Sequence, residues 1–269
     1  MPKTVINANS ESLSNYLRKI WLNRSLILTL AKRDLKIKYA QTFLGLVWTI
    51  VQPLTAVIVF TLFFTGVLNF ELDYPYILFV LSGVLMWGLF QYIFSQSSNA
   101  LIQNADLIRK IAFPKIILPL SKILLGLVEF GIGFIMLLII MIYYQVSFQW
   151  KMLALLLVLI PLIMFALGIA FILSAVTLRK RDLFHIVPFI VNFGIWLTPV
   201  FYPVNLIPEK FGQFIYVNPI ACSIQLFRWS FFDEALNPSI WMGLCISFII
   251  FILGFYAFKK AEDKIIDII

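Results

Sequence analysis

Six apolar stretches, each long enough to cross a bilayer, alternate with short basic ones. Eighteen of the 21 Lys and Arg residues fall in four places. Residues 1–40 carry Lys3, Arg18, Lys19, Arg24, Lys32, Arg33, Lys36 and Lys38, and residues 101–122 carry Arg109, Lys110, Lys115 and Lys122. Residues 178–184 hold Arg179, Lys180 and Arg181, and the C-terminal tail holds Lys259, Lys260 and Lys264. A helix needs roughly 20 apolar residues to span a hydrocarbon core about 30 Å thick. Loops rich in Lys and Arg stay cytoplasmic. The alternation therefore predicts an all-α integral membrane chain with both termini cytoplasmic. Spans are expected at about 43–68, 76–94, 116–144, 152–178, 183–202 and 240–258, flanked by a cytoplasmic tail at 1–24 and another at 261–269.

Composition excludes the main soluble classes. Charged residues make up 13% of the chain and hydrophobic residues 62%, against about 25% charged in a soluble domain. The net charge of +8 is explained by its sidedness, so no nucleic-acid partner is implied. The first 20 residues are polar and lack the apolar core of a cleavable signal peptide, and they are expected to be loosely ordered. Residues 21–39 put Leu22, Leu26, Leu30 and Ile37 on one side of a helix and Trp21, Leu28, Leu35 and Tyr39 on the other. Such a helix, running straight into a hydrophobic span, suits the membrane surface.

Residues 203–238 break the pattern. Two apolar stretches, within about 206–232, are separated by Asn218-Pro219, and each is too short to cross. A single crossing there would place Lys259, Lys260 and Lys264 outside, against the charge bias. A re-entrant pair of helices on the outer side keeps the parity. Past span two, the polar residues 95–99 are expected to project from the bilayer or to line an aqueous cavity.

Chemistry is sparse. No G-x-x-x-x-G-K-[ST], G-x-S-x-G or H-E-x-x-H motif occurs. The one histidine, His185, reads as interfacial, and Cys222 and Cys245 read as apolar fillers without metal-ligand spacing. Glu129, midway along span three among Gly126, Gly131 and Gly133, is the intramembrane acid. Such a charge is costly and faces the bundle interior. It serves either gating of a pathway or a structural partner group. Aromatics cluster at Trp87, Phe90, Tyr92 and Phe94, and at Trp196, Phe201 and Tyr202. They suit either an anchoring belt or a surface on which sugar rings stack.

Several segments, in order, resemble the membrane subunit of a type-2 ABC exporter of the polysaccharide branch (O-antigen, teichoic acid, capsule). They are Arg33-Asp34-Leu35-Lys36-Ile37-Lys38-Tyr39 leading to Leu44-Gly45-Leu46-Val47-Trp48 and Gln52-Pro53, then Asn104 through Lys110 with Phe113-Pro114 and Ile117-Leu118-Pro119, and finally Thr198-Pro199-Val200-Phe201-Tyr202-Pro203 with Ile207-Pro208 and Asn218-Pro219. The resemblance covers about 25–260. It implies a channel-forming permease in the bacterial cytoplasmic membrane that moves a lipid-linked glycan. It also implies a homodimer, and two copies of a separate ATPase subunit that alone uses ATP and Mg. The loop between spans two and three becomes the ATPase-coupling helix, pointing to Asn104, Asp106, Leu107, Ile108, Arg109 and Lys110. Trp87, Tyr92, Trp196 and Tyr202 are then candidates for the channel lining. Export of a drug, peptide or lipid by the same fold is the alternative. A membrane-embedded transferase, or a stand-alone channel or carrier, fits less well, because acid–base residues and intramembrane ionisable groups are few.

Overall fold

A computed structural model describes residues 12–40, 47–67, 72–177 and 185–262, which are α-helical with short π- and 3₁₀-helical turns and contain no strand. The Arg179-Lys180-Arg181 cluster, Leu44-Gly45-Leu46 and the extreme termini lie outside them. Five helices are long and apolar enough to cross a membrane: Val47–Gly66, Tyr76–Gln103, Ile117–Tyr143, Trp150–Thr177 and Ile240–Glu262. In chain order the helices are α1 (Leu13–Leu22), α2 (Arg24–Ala40), α3 (Val47–Thr61, continued by a π-helical stretch), α4 (Tyr76–Gln103), α5 (Ala105–Lys110), α6 (Ile117–Tyr143), α7 (Leu155–Thr177), α8 (Ile186–Leu197), α9 (Glu209–Ile215), α10 (Pro219–Phe232) and α11 (Ile240–Glu262).

Helix α4 is the axis of the bundle, packed by α3, α6, α7, α8 and α10. Its most apolar stretch is 72% buried, whereas that of α3 is 6% buried. The α3 face with Ile58, Val59, Leu62 and Phe63 is therefore left for lipid or another chain. Helices α7 and α11 touch backbone to backbone. A Cβ on Gly254 would lie 2.2 Å from the Gly168 carbonyl oxygen, and only small residues allow that approach.

Two expectations change, and a third segment gains its partners. Part of the polar N-terminal tail is helix α1. Ser12 caps it by accepting from the Asn15 amide, and its one buried residue, Tyr16, packs edge-on against Phe255 and donates to Glu262 at the end of α11. Residues 95–99 continue α4, whose 28 residues run about 42 Å, longer than a hydrocarbon core of about 30 Å. The Ser97 hydroxyl donates to Pro119 O at 3.0 Å, and Ser174 of α7 donates to the carbonyls of Ser97 and Ser98 at 3.1 Å each. Protein partners thus satisfy groups too polar for lipid. Among the described residues of the stretch read as span five over 183–202, the α-helix has 12 residues and is about 18 Å long at 1.5 Å per residue. It stops at Thr198, which is extended (ψ 137°), because the ring of Pro199 disfavours helical backbone at the residue before it. The region 206–232 does form two short helices, α9 and α10, with Asn218 capping the second through the Ile220 amide.

Candidate functional site

Among the described residues, the basic stretches of α2, of 101–122 and of the end of α11 meet at one end of the bundle. Helix α2 lies along α6 and is fastened by polar contacts of residues 33, 34 and 38. The Arg33 guanidinium donates to Asp34 Oδ1 at 2.7 and 3.0 Å and to Asn104 Oδ1 at 2.8 Å. Lys122 Nζ of α6 donates to Asp34 Oδ2 at 2.5 Å. Both partners of this second pair are largely withdrawn from solvent, with side-chain exposures of 6% for Lys122 and 14% for Asp34. Burial of the Asp34 carboxyl alone would raise its pKa. Hydrogen bonds and charge from Lys122 and Arg33 outweigh burial and hold it below the ordinary carboxylate value. The packed face of α2 centres on Leu30 and Ala31, while Ile37, placed with Leu30 by the helical wheel, is 67% exposed.

This clasp reaches the six-residue helix α5. Asn104 is buried at the α4–α5 junction, where its amide nitrogen donates to Ala100 O at 2.8 Å while its oxygen accepts from Arg33. Ile108 is buried and Leu107 half-buried, so they fix α5 to the bundle. Asp106, Arg109 and Lys110 are exposed. The acid in the first turn and the bases in the last complement the helix dipole. Exposed Ile102 and Ile111 add apolar surface on either side. Helix α5 thus has an anchored inner face and a mixed charged and apolar outer face. From the opposite side, Glu262 accepts from the Tyr16 hydroxyl and the Lys115 amide, joining α1, α11 and the 111–116 loop.

Further along α6, Glu129 forms an ion pair with Lys38, the last basic residue of α2. Lys38 also lies 4.8 Å from the Tyr92 ring centroid. The pair borders a cavity of about 580 Å³ whose wall includes Trp48, Gln52, Trp87, Gln91, Phe130 and Phe201. The four aromatic residues singled out for a channel do not share one space. Trp87 borders this cavity, deeply buried, and a Cβ on Gly194 would lie 2.9 Å from its ring. Tyr92 stands half-buried at the Lys38 ammonium. Trp196 and Tyr202 border a second cavity of about 460 Å³ with Phe211, Phe214 and Asn218, and the Tyr202 hydroxyl donates to Trp196 O at 3.0 Å.

Sequence reading passed over Arg228. It sits in α10 at 1% exposure, its guanidinium 3.4 Å from the Phe79 ring centroid. It donates to Pro199 O at 3.0 Å, Val200 O at 3.0 Å, Phe79 O at 3.1 Å and Ser82 Oγ at 3.3 Å. The available signal was the one applied to Glu129: an isolated charge in an apolar run.

A family model described as ABC-2 type transporter matches residues 25–232. The O-antigen export system permease protein RfbA of Myxococcus xanthus is 28% identical over 222 residues, covering 81% of this chain and 85% of the relative. A protein of the same name from Klebsiella pneumoniae is 28% identical over 247 residues, covering 91% of this chain and 95% of the relative. With five apolar helices, one of them a buried axis, among the described residues and a family match over most of its length, the chain belongs to the ABC-2 type transporter membrane family, whose members are transport subunits that leave nucleotide chemistry to a separate ATPase.

Proposed function

We propose that this chain is the permease of an ATP-driven exporter carrying a lipid-linked polysaccharide across a bacterial cytoplasmic membrane. The observation that carries the cargo reading is the near end-to-end similarity to O-antigen export permeases of two bacteria. The working unit is a homodimer with two copies of the ATPase. Both termini and α5 face the cytoplasm, and α9–α10 form the outer re-entrant pair. The basic bias of the segments that meet around α5 supports that orientation. Helix α5 is the coupling element: it is short, anchored by Leu107 and Ile108, exposed at Asp106, Arg109 and Lys110, and tied through Asn104 to α2. ATPase movement at α5 then reaches Lys38 and Glu129 through the Arg33–Asp34–Lys122 clasp, and the two aromatic-bordered cavities are parts of the cargo path.

Two experiments test this reading. The first is co-purification of the chain with its ATPase, followed by mass spectrometry of bound lipid; a lipid-linked glycan is expected, and a drug, peptide or simple lipid in its place overturns the cargo assignment. The second reverses charge at Arg109 and Lys110 together. Stimulation of the ATPase by the permease should fall at least tenfold, which corresponds to about 1.4 kcal/mol of docking energy, and unchanged stimulation and export remove α5 from the coupling role.

A further inference from the structure

The two cavities share a wall. Ile195 and Phe201 border the larger cavity, and Trp196, Leu197 and Tyr202 border the smaller. The backbone from 195 to 202 therefore passes between them. Past Thr198 it is no longer helical, so its carbonyls need partners from elsewhere. Three contacts to its carbonyls and one to the Thr198 hydroxyl come from α4 or from the segment that opens with Asn218 and continues as α10. Asn218 Nδ2 donates to the Thr198 hydroxyl at 2.9 Å, Arg228 donates to the carbonyls of Pro199 and Val200, and the Tyr76 hydroxyl donates to Phe201 O. Held this way, Phe201 stacks on Phe60 of α3 at 3.7 Å and 10° and lies 5.6 Å from the Trp196 ring. Phe60, Trp196 and Phe201 thus form one aromatic cluster on this segment.

Arg228 is an unusual residue to use merely for stability. Among the described residues no carboxylate forms an ion pair with it, and a buried charge is weak evidence for stability, since an apolar side chain of similar volume often serves as well. Its planar fork does one thing an apolar side chain cannot: it reaches several carbonyl oxygens on two chain segments at once. Two of these acceptors, Pro199 O and Val200 O, are dipoles of a non-helical segment, so that half of the contact can be released without breaking an ion pair.

We propose that Arg228 is a positioning residue that holds residues 198–201 as a partition across the transport path, keeping the two cavities apart at rest. The proposal rests on reading the chain as a permease but not on the identity of the cargo. The test uses permease–ATPase complexes in liposomes loaded with carboxyfluorescein and kept free of ATP. The wild-type complex should retain the dye. Arg228→Gln should leak several-fold faster, and so should two variants that leave Arg228 in place. Gly83→Ala puts a Cβ 2.6 Å from Val200 O and displaces the partition, and Phe201→Ala removes its central ring. A purely structural Arg228 would lower the melting temperature without opening a leak. A folded, inserted Arg228→Gln complex as tight as wild type overturns the proposal. If that variant fails to fold, wild-type tightness in both Gly83→Ala and Phe201→Ala overturns it instead. Should the wild type export no polysaccharide while the variants still leak, the cargo reading falls and the partition stands.

Discussion

Replacing Asp34 by Asn should destabilise the protein more than replacing its partner Lys122 by Met, although the two substitutions break the same ion pair. Asp34→Asn leaves the Lys122 ammonium, 6% exposed, without an anionic partner, and stranding a buried charge costs about 3–5 kcal/mol. The Asn oxygen can still accept from the ammonium, and recovering such a bond returns about 1–2 kcal/mol, so a net loss of roughly 2–3 kcal/mol is expected. Lys122→Met removes the buried cation itself. Asp34 keeps the Arg33 guanidinium at 2.7 and 3.0 Å, and the methionine fills the vacated volume, so the loss should be about 1 kcal/mol. In a domain of this size 1 kcal/mol shifts the melting temperature by about 2–4 °C, which predicts a drop of roughly 4–12 °C for Asp34→Asn and about 2–4 °C for Lys122→Met. Fluorescence-detected unfolding of the detergent-purified protein measures both. The pH dependence has a definite sign. An acid whose folded pKa is lowered stabilises the protein above its unfolded pKa, near 3.9, and that contribution is lost as pH falls through the folded value. The gap between wild type and Asp34→Asn should thus be flat from pH 8 to about 5 and close only below about pH 4. A Lys122→Met loss equal to or larger than that of Asp34→Asn, or a gap that closes near neutral pH, would refute the reasoning.

Other perturbations follow from the same geometry. Lys38→Met should cost more than Glu129→Gln, about 2 against about 0.5–1 kcal/mol, because Lys38 is 41% exposed and can turn toward water whereas Glu129 is 19% exposed; equal melting temperatures would contradict this. Gly254→Ala must push α11 off the Gly168 carbonyl and should lower stability by at least about 2 kcal/mol, whereas Gly66→Ala, with nothing near its Cβ, should be close to neutral in the same melting assay. A cysteine at exposed Gln213, in a background with exposed Cys245 replaced by Ser, should react with an impermeant maleimide from outside intact cells; labelling only after permeabilisation would sink the outer placement of α9–α10.

Much of this fold was legible because a bilayer permits few solutions. Apolar runs located the long helices, and Asn218-Pro219 marked where α9 gives way to α10. What the sequence did not show has mostly one cause: the deciding partner is far away along the chain. Ser97 and Ser98 find their acceptor and donor, Pro119 and Ser174, 22 and 76–77 positions away. The N-terminal segment read as tail because Tyr16 finds its partner in Glu262, 246 positions on. The early end of α8 is different, since Thr198-Pro199 carried the signal locally and the apolar run overrode it. Helix α5, proposed for coupling, was visible as a basic, punctuated loop, but its link to α2 through Arg33 and Asn104 required the fold.

Three cations stand outside the four basic stretches, and their surroundings separate two uses of charge in such a chain. Lys151 pairs with Asp233 and lies 5.3 Å from the Trp229 ring centroid. Lys210 is exposed on α9. Arg228 is buried among carbonyls. A cation in a cluster carries information only as part of a total, so any one residue of the cluster can be exchanged without changing the sum that orients the chain. A cation off that end works against the same bias and has to be offset locally, by an acid, by water or by backbone dipoles. The means of offset then indicates the role. Exposure at Lys210 implies surface, and an acid at Lys151, opposite a 57% exposed Asp233, implies a weak surface tie. Backbone dipoles at Arg228 imply a contact whose strength depends on the conformation of the chain that supplies them. Of the three, only this last contact weakens when residues 198–201 change shape, which is the property a partition in a transport path requires.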